Sequence, residues 1–223
     1  MDTNSWVRFM VGLAAVATIV LFAIGNTFKK RGFFSTKNIA AVGVLTAIEI
    51  ILQILGNFIT FGPVSINLCL IPIAIGAILY GPLAGAFLGV VNGVAVIFAP
   101  STLAIFMPIN PIATIAICLL KSTIAGFVSG LVFLPFKNKN ETLGTIFASI
   151  ILPIVNTGLF AIGSLLFFRS FLDAVASNGF PNAFVALLLG VIGWNFIFEL
   201  ATNTIVSPSI SRIVRIIKKK RAA

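Results

Sequence analysis

The sequence predicts an all-α integral membrane protein with seven candidate spans. Of its 223 residues 59% are hydrophobic and only 9% are charged, whereas a soluble domain carries about 25% charged residues. Mean hydropathy is +1.16. The apolar residues also fall into long runs separated by short links of charge, glycine or proline, and a run of about 20 apolar residues suffices to cross about 30 Å of hydrocarbon as a helix.

The first run, Trp6 to Phe28, is closed by Lys29, Lys30 and Arg31, with Lys37 after a short link. A cleaved signal peptide would need a shorter apolar region and small residues where Asn26-Thr27-Phe28 stands. The second run covers Asn38 to Ile59, and a turn at Phe61-Gly62-Pro63 leads to the third, Ile66 to Tyr80. Gly81-Pro82 separates that from the fourth, Leu83 to Phe98; both are short and glycine-rich. Pro100 to Pro111 holds three prolines and reads as a loop or broken helix. The fifth run is Ile112 to Phe136, followed by Lys137, Lys139 and Glu141. The sixth is Leu143 to Phe168, the link from Arg169 to Pro181 is polar, and the seventh runs from Asn182 to about Val206 before a basic tail.

Lysine and arginine collect in cytoplasmic loops near span ends. Twelve of the fifteen basic residues stand in three clusters: 29–37, 137–139 and 212–221. Placing all three inside closes the parity: four spans separate the first cluster from the second, and two separate the second from the third. The C-terminus is then cytoplasmic and Met1 outside. Topology accounts for the net charge of +10, which in a soluble chain would suggest nucleic acid; attraction of the tail to anionic lipid is a further reading.

Catalytic constellations are scarce. The chain has no histidine, and its two aspartates, Asp2 and Asp173, and two cysteines, Cys69 and Cys118, are far apart. No Ser-His or Cys-His pair, no histidine-containing zinc site and no pair of intramembrane aspartates can be built. No Gly-Lys-Ser/Thr phosphate loop is present either. The expectation is a protein that is not an enzyme and carries no cofactor or metal.

Polar side chains inside the membrane are expensive and mark sites or pathways. Glu49, Gln53 and Asn57 recur every four residues on the second span, Asn110, Thr114, Cys118 and Lys121 form a stripe on the fifth, and Asn195, Glu199 and Asn203 repeat on the seventh beside Trp194. Asn67, Asn92 and Asn156-Thr157 add further groups. Together these would line one polar cavity, although single asparagines also serve as glue between helices at about 0.6 kcal/mol each. Lys121 is different, because roughly nine residues from the end of its span place it about 13 Å deep at ~1.5 Å per residue. It needs an anion there: Glu199, Glu49 or a substrate carboxylate.

Small residues let helix backbones approach. Gly85, Gly89 and Gly93 repeat every four residues, as do Ser122, Gly126 and Gly130, and internal packing is expected of both rows. Ala40, Gly43 and Ala47 lie on a face away from Glu49, and would point toward a partner helix if Glu49 points inward.

The stretch from Val64 to Gly89, with Ile71-Pro72 and then Gly81-Pro82-Leu83-Ala84-Gly85, resembles the second and third core helices of substrate-binding (S) components of energy-coupling factor (ECF) vitamin transporters. Lys121-Ser122-Thr123-Ile124-Ala125-Gly126, followed by Gly130, resembles their fourth, and Pro153 to Gly158 their fifth. The resemblance runs from about Thr36 to the C-terminus. It implies a six-transmembrane-helix S-component bundle over residues 36–211, with residues 1–35 an additional N-terminal transmembrane helix and basic link, and 212–223 a basic cytoplasmic tail. The extra helix departs from the family pattern.

The resemblance further implies a high-affinity vitamin receptor in the plasma membrane that topples to deliver its ligand. Its partners would be a transmembrane coupling protein and two ABC-type ATPases. Ala40, Gly43 and Ala47 would dock the coupling protein, with Gly43 standing where the family has alanine. Among substrates pantothenate is the first choice, because Asn67, Asn92, Lys121 and Asn156-Thr157 look most like pantothenate-specific members. Its one carboxylate, one amide and two hydroxyls also suit one buried cation among asparagines. The expected substrate-binding set is Asn67, Asn92, Asn110, Lys121, Asn156, Thr157, Trp194, Asn195 and Glu199, with Trp194 covering the ligand. Another vitamin, a self-contained proton-coupled transporter using Glu49 and Glu199, and an assembly subunit remain open alternatives.

Overall fold

Several helix ends in this chain fall where asparagine, glycine or proline stands. The computed structural model describes residues 36–58, 60–61, 64–65, 67–177 and 179–222. Two compact units divide at Ala41, Met1–Ala41 and Val42–Ala223. The expected first span and its basic link lie outside the described residues; the account below concerns the second unit.

Helix α1 is Thr36–Gly56. From Val42 onward it buries one stripe, Val42, Glu49, Gln53 and Gly56, and exposes Val44, Ile48, Ile51, Ile54 and Leu55. An outer face of that kind suits lipid rather than water. Two short strands follow, β1 (Thr60–Phe61) and β2 (Val64–Ser65), paired antiparallel with Thr60 opposite Ser65. Helix α2, Leu70–Tyr80, ends at Gly81, whose φ of 94° turns the chain directly into α3, Pro82–Ile97. Only glycine takes that φ without strain, and Pro82 is preset for a first helical position.

A π-helical turn, Thr102–Phe106, occupies the proline-bearing stretch. Helix α4 is Pro111–Phe133, capped by the Asn110 side chain accepting from the Ala113 N–H at 3.1 Å, and a 3₁₀ turn carries it to Phe136. Helix α5, Glu141–Phe167, is capped in the same way by Asn140, which accepts from Leu143 N–H at 3.2 Å. Then come the short amphipathic helix α6, Arg169–Ala176, a single turn α7, Ala183–Val185, and a π-helical stretch, Ala186–Ile192. This runs straight into α8, Gly193–Ala222. The last helix therefore extends well past Val206, and its far end carries the basic residues.

Four of these segments are long and apolar enough to cross a membrane: Asn38–Gly56, Pro111–Phe136, Glu141–Phe167 and Ala183–Ile217. Helices α2 and α3, with 11 and 16 residues, fall short by length, because Gly81-Pro82 interrupts what would otherwise be one run.

The two small-residue rows pack inside the bundle, and they meet each other. A Cβ on Gly85 would strike the Gly126 backbone, one on Gly89 the backbone of Ser122 and Thr123, and one on Gly93 that of Cys118 and Leu119. Helix α3 therefore lies backbone to backbone on α4. Near the other end of α4, Phe106, Ile117, Phe160, Phe168, Leu172 and Leu187 form an apolar cluster. Phe106 meets Phe160 and Phe168 edge-on at 5.6 and 5.1 Å, geometry that aromatic quadrupoles favour.

Candidate binding cavity

The glycine contact between α3 and α4 brings Asn92 to Ser122. Asn92 Nδ2 donates to Ser122 Oγ at 2.9 Å, and Ser122 Oγ donates to Asn156 Oδ1 at 3.2 Å. This buried chain links α3, α4 and α5 and sets the rotation of α4 about its axis. Lys121, the neighbour of Ser122, is thereby turned inward and only 9% exposed.

A cavity opens in front of it, with about 580 Å³ of empty space counting its open side. Its polar wall is Gln53, Asn67, Lys121 and Glu199; its apolar wall is Val96, Ile117, Phe106, Phe160 and Phe168; Ser101, Thr102 and Thr114 stand between. A smaller hollow of about 300 Å³ shares Lys121, Phe160 and Glu199 and adds Asn156, Thr157, Ile192, Asn195 and Phe196. The two hollows meet at these three shared residues, and together they are termed the chamber.

The segment 67–69 stitches α1 to α8 along the chamber wall. Asn67 N–H donates to Glu199 Oε1 at 3.1 Å, while Cys69 N–H donates to Asn67 Oδ1 at 3.1 Å. Cys69 Sγ donates to the Glu49 carbonyl at 3.2 Å and to Gln53 Oε1 at 3.3 Å. Glu199 Oε2 accepts from Thr157 Oγ1 at 3.3 Å, which ties α5 to α8 as well.

Lys121 is held otherwise. Its ammonium lies 4.8 Å from the centroid of the Phe160 ring, an attraction of about 2 kcal/mol when desolvated. Among the described residues it makes no ion pair; the ion pair found there is Arg169 with Asp173, 3.1 Å apart and exposed on α6. Of the anions open to Lys121, Glu199 makes no direct ion pair with it. The chamber presents a buried cation over an aromatic ring and a carboxylate with one hydrogen bond to each oxygen.

Six of the nine expected substrate residues line this chamber: Asn67, Lys121, Asn156, Thr157, Asn195 and Glu199. Three do not. Asn92 is wholly buried behind the wall in the Ser122 chain. Asn110 spends its side chain on capping α4. Trp194, expected to cover the ligand, is 64% exposed on the outer surface, because one residue before Asn195 is about 100° around the helix. Phenylalanines supply the aromatic wall instead. Phe160, four residues after Asn156, shares its face and was legible by spacing; Phe106 and Thr102 come from the π-helical turn, for which no periodic signal exists.

Glu49 is wholly buried, and neither carboxylate oxygen makes a hydrogen bond to the described residues. On the other side of α1, Gly43 and Ala47 are exposed, with nothing within 4 Å of a Cβ placed on Gly43. The inward glutamate and outward small residues are the arrangement the spacing predicts.

No characterised protein and no solved structure matches the chain. A family model does: ECF transporter, substrate-specific component, over residues 37–211. Taken with its helices long and apolar enough to cross a membrane, the match makes this chain a member of the ECF transporter substrate-specific components, transporter subunits rather than enzymes.

Proposed function

We propose that the chain captures a small carboxylated vitamin, pantothenate in the first place, for ATP-driven uptake. The observation that carries this is Lys121: a buried ammonium that faces the chamber and has no ion-pair partner among the described residues. A substrate carboxylate would give it a direct ion-pair partner, and Glu199 with Asn67, Asn156, Thr157 and Asn195 would meet the hydroxyls and amide. The aromatic wall of Phe106, Phe160 and Phe168 suits a branched aliphatic body. In this reading the chain has no ATPase of its own and works with a membrane coupling protein and two ABC-type ATPases, docking through Ala40, Gly43 and Ala47. The C-terminus lies in the cytoplasm of a plasma-membrane protein. Calorimetric titration of the detergent-purified chain with pantothenate, run beside a panel of other vitamins without ATP, tests it. One-to-one binding in the nanomolar range supports the reading, and silence with pantothenate but binding of another vitamin reassigns the substrate.

A second reading draws on Glu49, whose buried carboxyl has no hydrogen-bond partner among the described residues and suits a proton carrier. Uptake into liposomes by the chain alone, driven by a proton gradient and lost in Glu49→Gln, would establish it.

A further inference from the structure

Away from the chamber, an apolar furrow runs over the outer surface between the end of α4 and the first half of α5. Val132, Phe136, Phe147, Ile150 and Ile151 line it, around about 500 Å³ of empty space counting its open side. Phe136 and Phe147 stack at 5.4 Å with planes 29° apart. Gly144 makes room for this, since a Cβ there would come within 2.5 Å of Phe136 Cβ. A smooth helix pair would leave no such furrow.

One end of it is strongly basic. Lys137 follows Phe136 directly, and Lys139 donates its backbone N–H to the Phe136 carbonyl at 3.1 Å; both side chains are exposed. Arg212 and Arg215 on α8 are exposed too, and Arg215 reaches Thr142 Oγ1 at the start of α5. Glu141 is the acidic residue among these four basic ones. An apolar furrow in the hydrocarbon layer that ends beside paired lysines has the two-part chemistry of a phospholipid with negative head-group charge. A partner helix fits it less well, because the furrow is walled by bulky side chains and lacks the small residues that let helices approach.

We propose that this furrow is a binding site for an anionic phospholipid, with one acyl chain along Phe136, Phe147 and Ile151 and the phosphate at Lys137 and Lys139. The site is separate from the chamber and does not depend on which vitamin the protein takes. The test is native mass spectrometry of the detergent-purified full chain with equal amounts of palmitoyl-oleoyl phosphatidylglycerol and phosphatidylcholine. The parent retains phosphatidylglycerol in preference. In Lys137→Gln/Lys139→Gln, an exposed pair whose loss leaves the fold intact, the preference drops by about fivefold or more. Filling the furrow with Val132→Trp lowers retention of both lipids. Equal retention of the two lipids by the parent, or a preference undiminished in the lysine variant, would overturn the head-group assignment. Undiminished retention in Val132→Trp would overturn the acyl-chain site.

Discussion

Lys121 and Glu199 wall the same chamber without forming an ion pair: the ammonium rests over the Phe160 ring at 4.8 Å, while the carboxylate is held by Asn67 N–H and Thr157 Oγ1. Two opposite charges kept apart in one low-dielectric space leave each available to a ligand that reaches both. That separation is a more specific feature than either residue alone.

If Lys121 neutralises a substrate carboxylate, Lys121→Met should weaken pantothenate binding by about 100-fold or more, as when one member of a buried charge pair is removed. The alcohol analogue, which has a hydroxymethyl group in place of the carboxylate, should bind parent and variant almost equally. Calorimetry on the four combinations checks this. A variant that still prefers pantothenate to the alcohol would remove Lys121 from the role.

The proposed site gives Glu199 two separable roles, bracing segment 67–69 and meeting the ligand. Glu199→Ala orphans the Asn67 N–H and the Thr157 hydroxyl, at about 1–3 kcal/mol for a buried donor, so thermal unfolding in detergent should fall by several degrees. Glu199→Gln keeps an oxygen acceptor and most of the stability. It loses the charge that would accept ligand hydroxyls, so affinity should drop by about tenfold. A Gln variant with parental affinity would make Glu199 a brace for segment 67–69 alone.

Periodicity made the helices and the inward faces legible. Glu49 and Gln53, Thr114 and Lys121, and Asn195 and Glu199 all turn inward as their spacing requires, and Gly85, Gly89 and Gly93 meet the row on α4. Illegible were features set by tertiary contact or by irregular backbone. Asn92 and Asn156 look alike in sequence, yet only Asn156 reaches the chamber, because Ser122 stands in front of Asn92. Thr102 and Phe106 enter from a π-helical turn, which shifts side chains off the 100° period by which faces are assigned. Trp194 adjoins Asn195 in the sequence, yet neighbours in a helix point apart.

The α3–α4 contact should govern both stability and binding. In Gly89→Ala the new Cβ would meet the Ser122 carbonyl and come within 2.7 Å of Thr123 Cα, and backbone cannot yield as a flexible side chain does. Overpacking of this kind costs about 1–3 kcal/mol, read as a lower unfolding midpoint. Displacing Ser122 also breaks the Asn92–Ser122–Asn156 chain and shifts Lys121, so substrate affinity should fall with it. Gly158→Ala is the control, since nothing lies within 4 Å of its Cβ. A Gly89 variant as stable as the Gly158 one would show that the helices can separate without consequence.

Gly43 and Ala47 face outward on the helix whose opposite side carries Glu49 and Gln53. Enlarging them therefore leaves the chamber untouched, and small surface residues in a membrane matter chiefly through what packs against them. Gly43→Leu and Ala47→Leu should each retain parental substrate affinity in detergent. Together with the coupling protein and its two ATPases, the same variants should lose co-purification and vitamin uptake by about tenfold or more, because a leucine holds apart two backbones that small residues allow to touch. Uptake at parental rate would move the docking surface off this face. Loss of substrate affinity would mean instead that α1 transmits the change inward through Glu49 and Gln53.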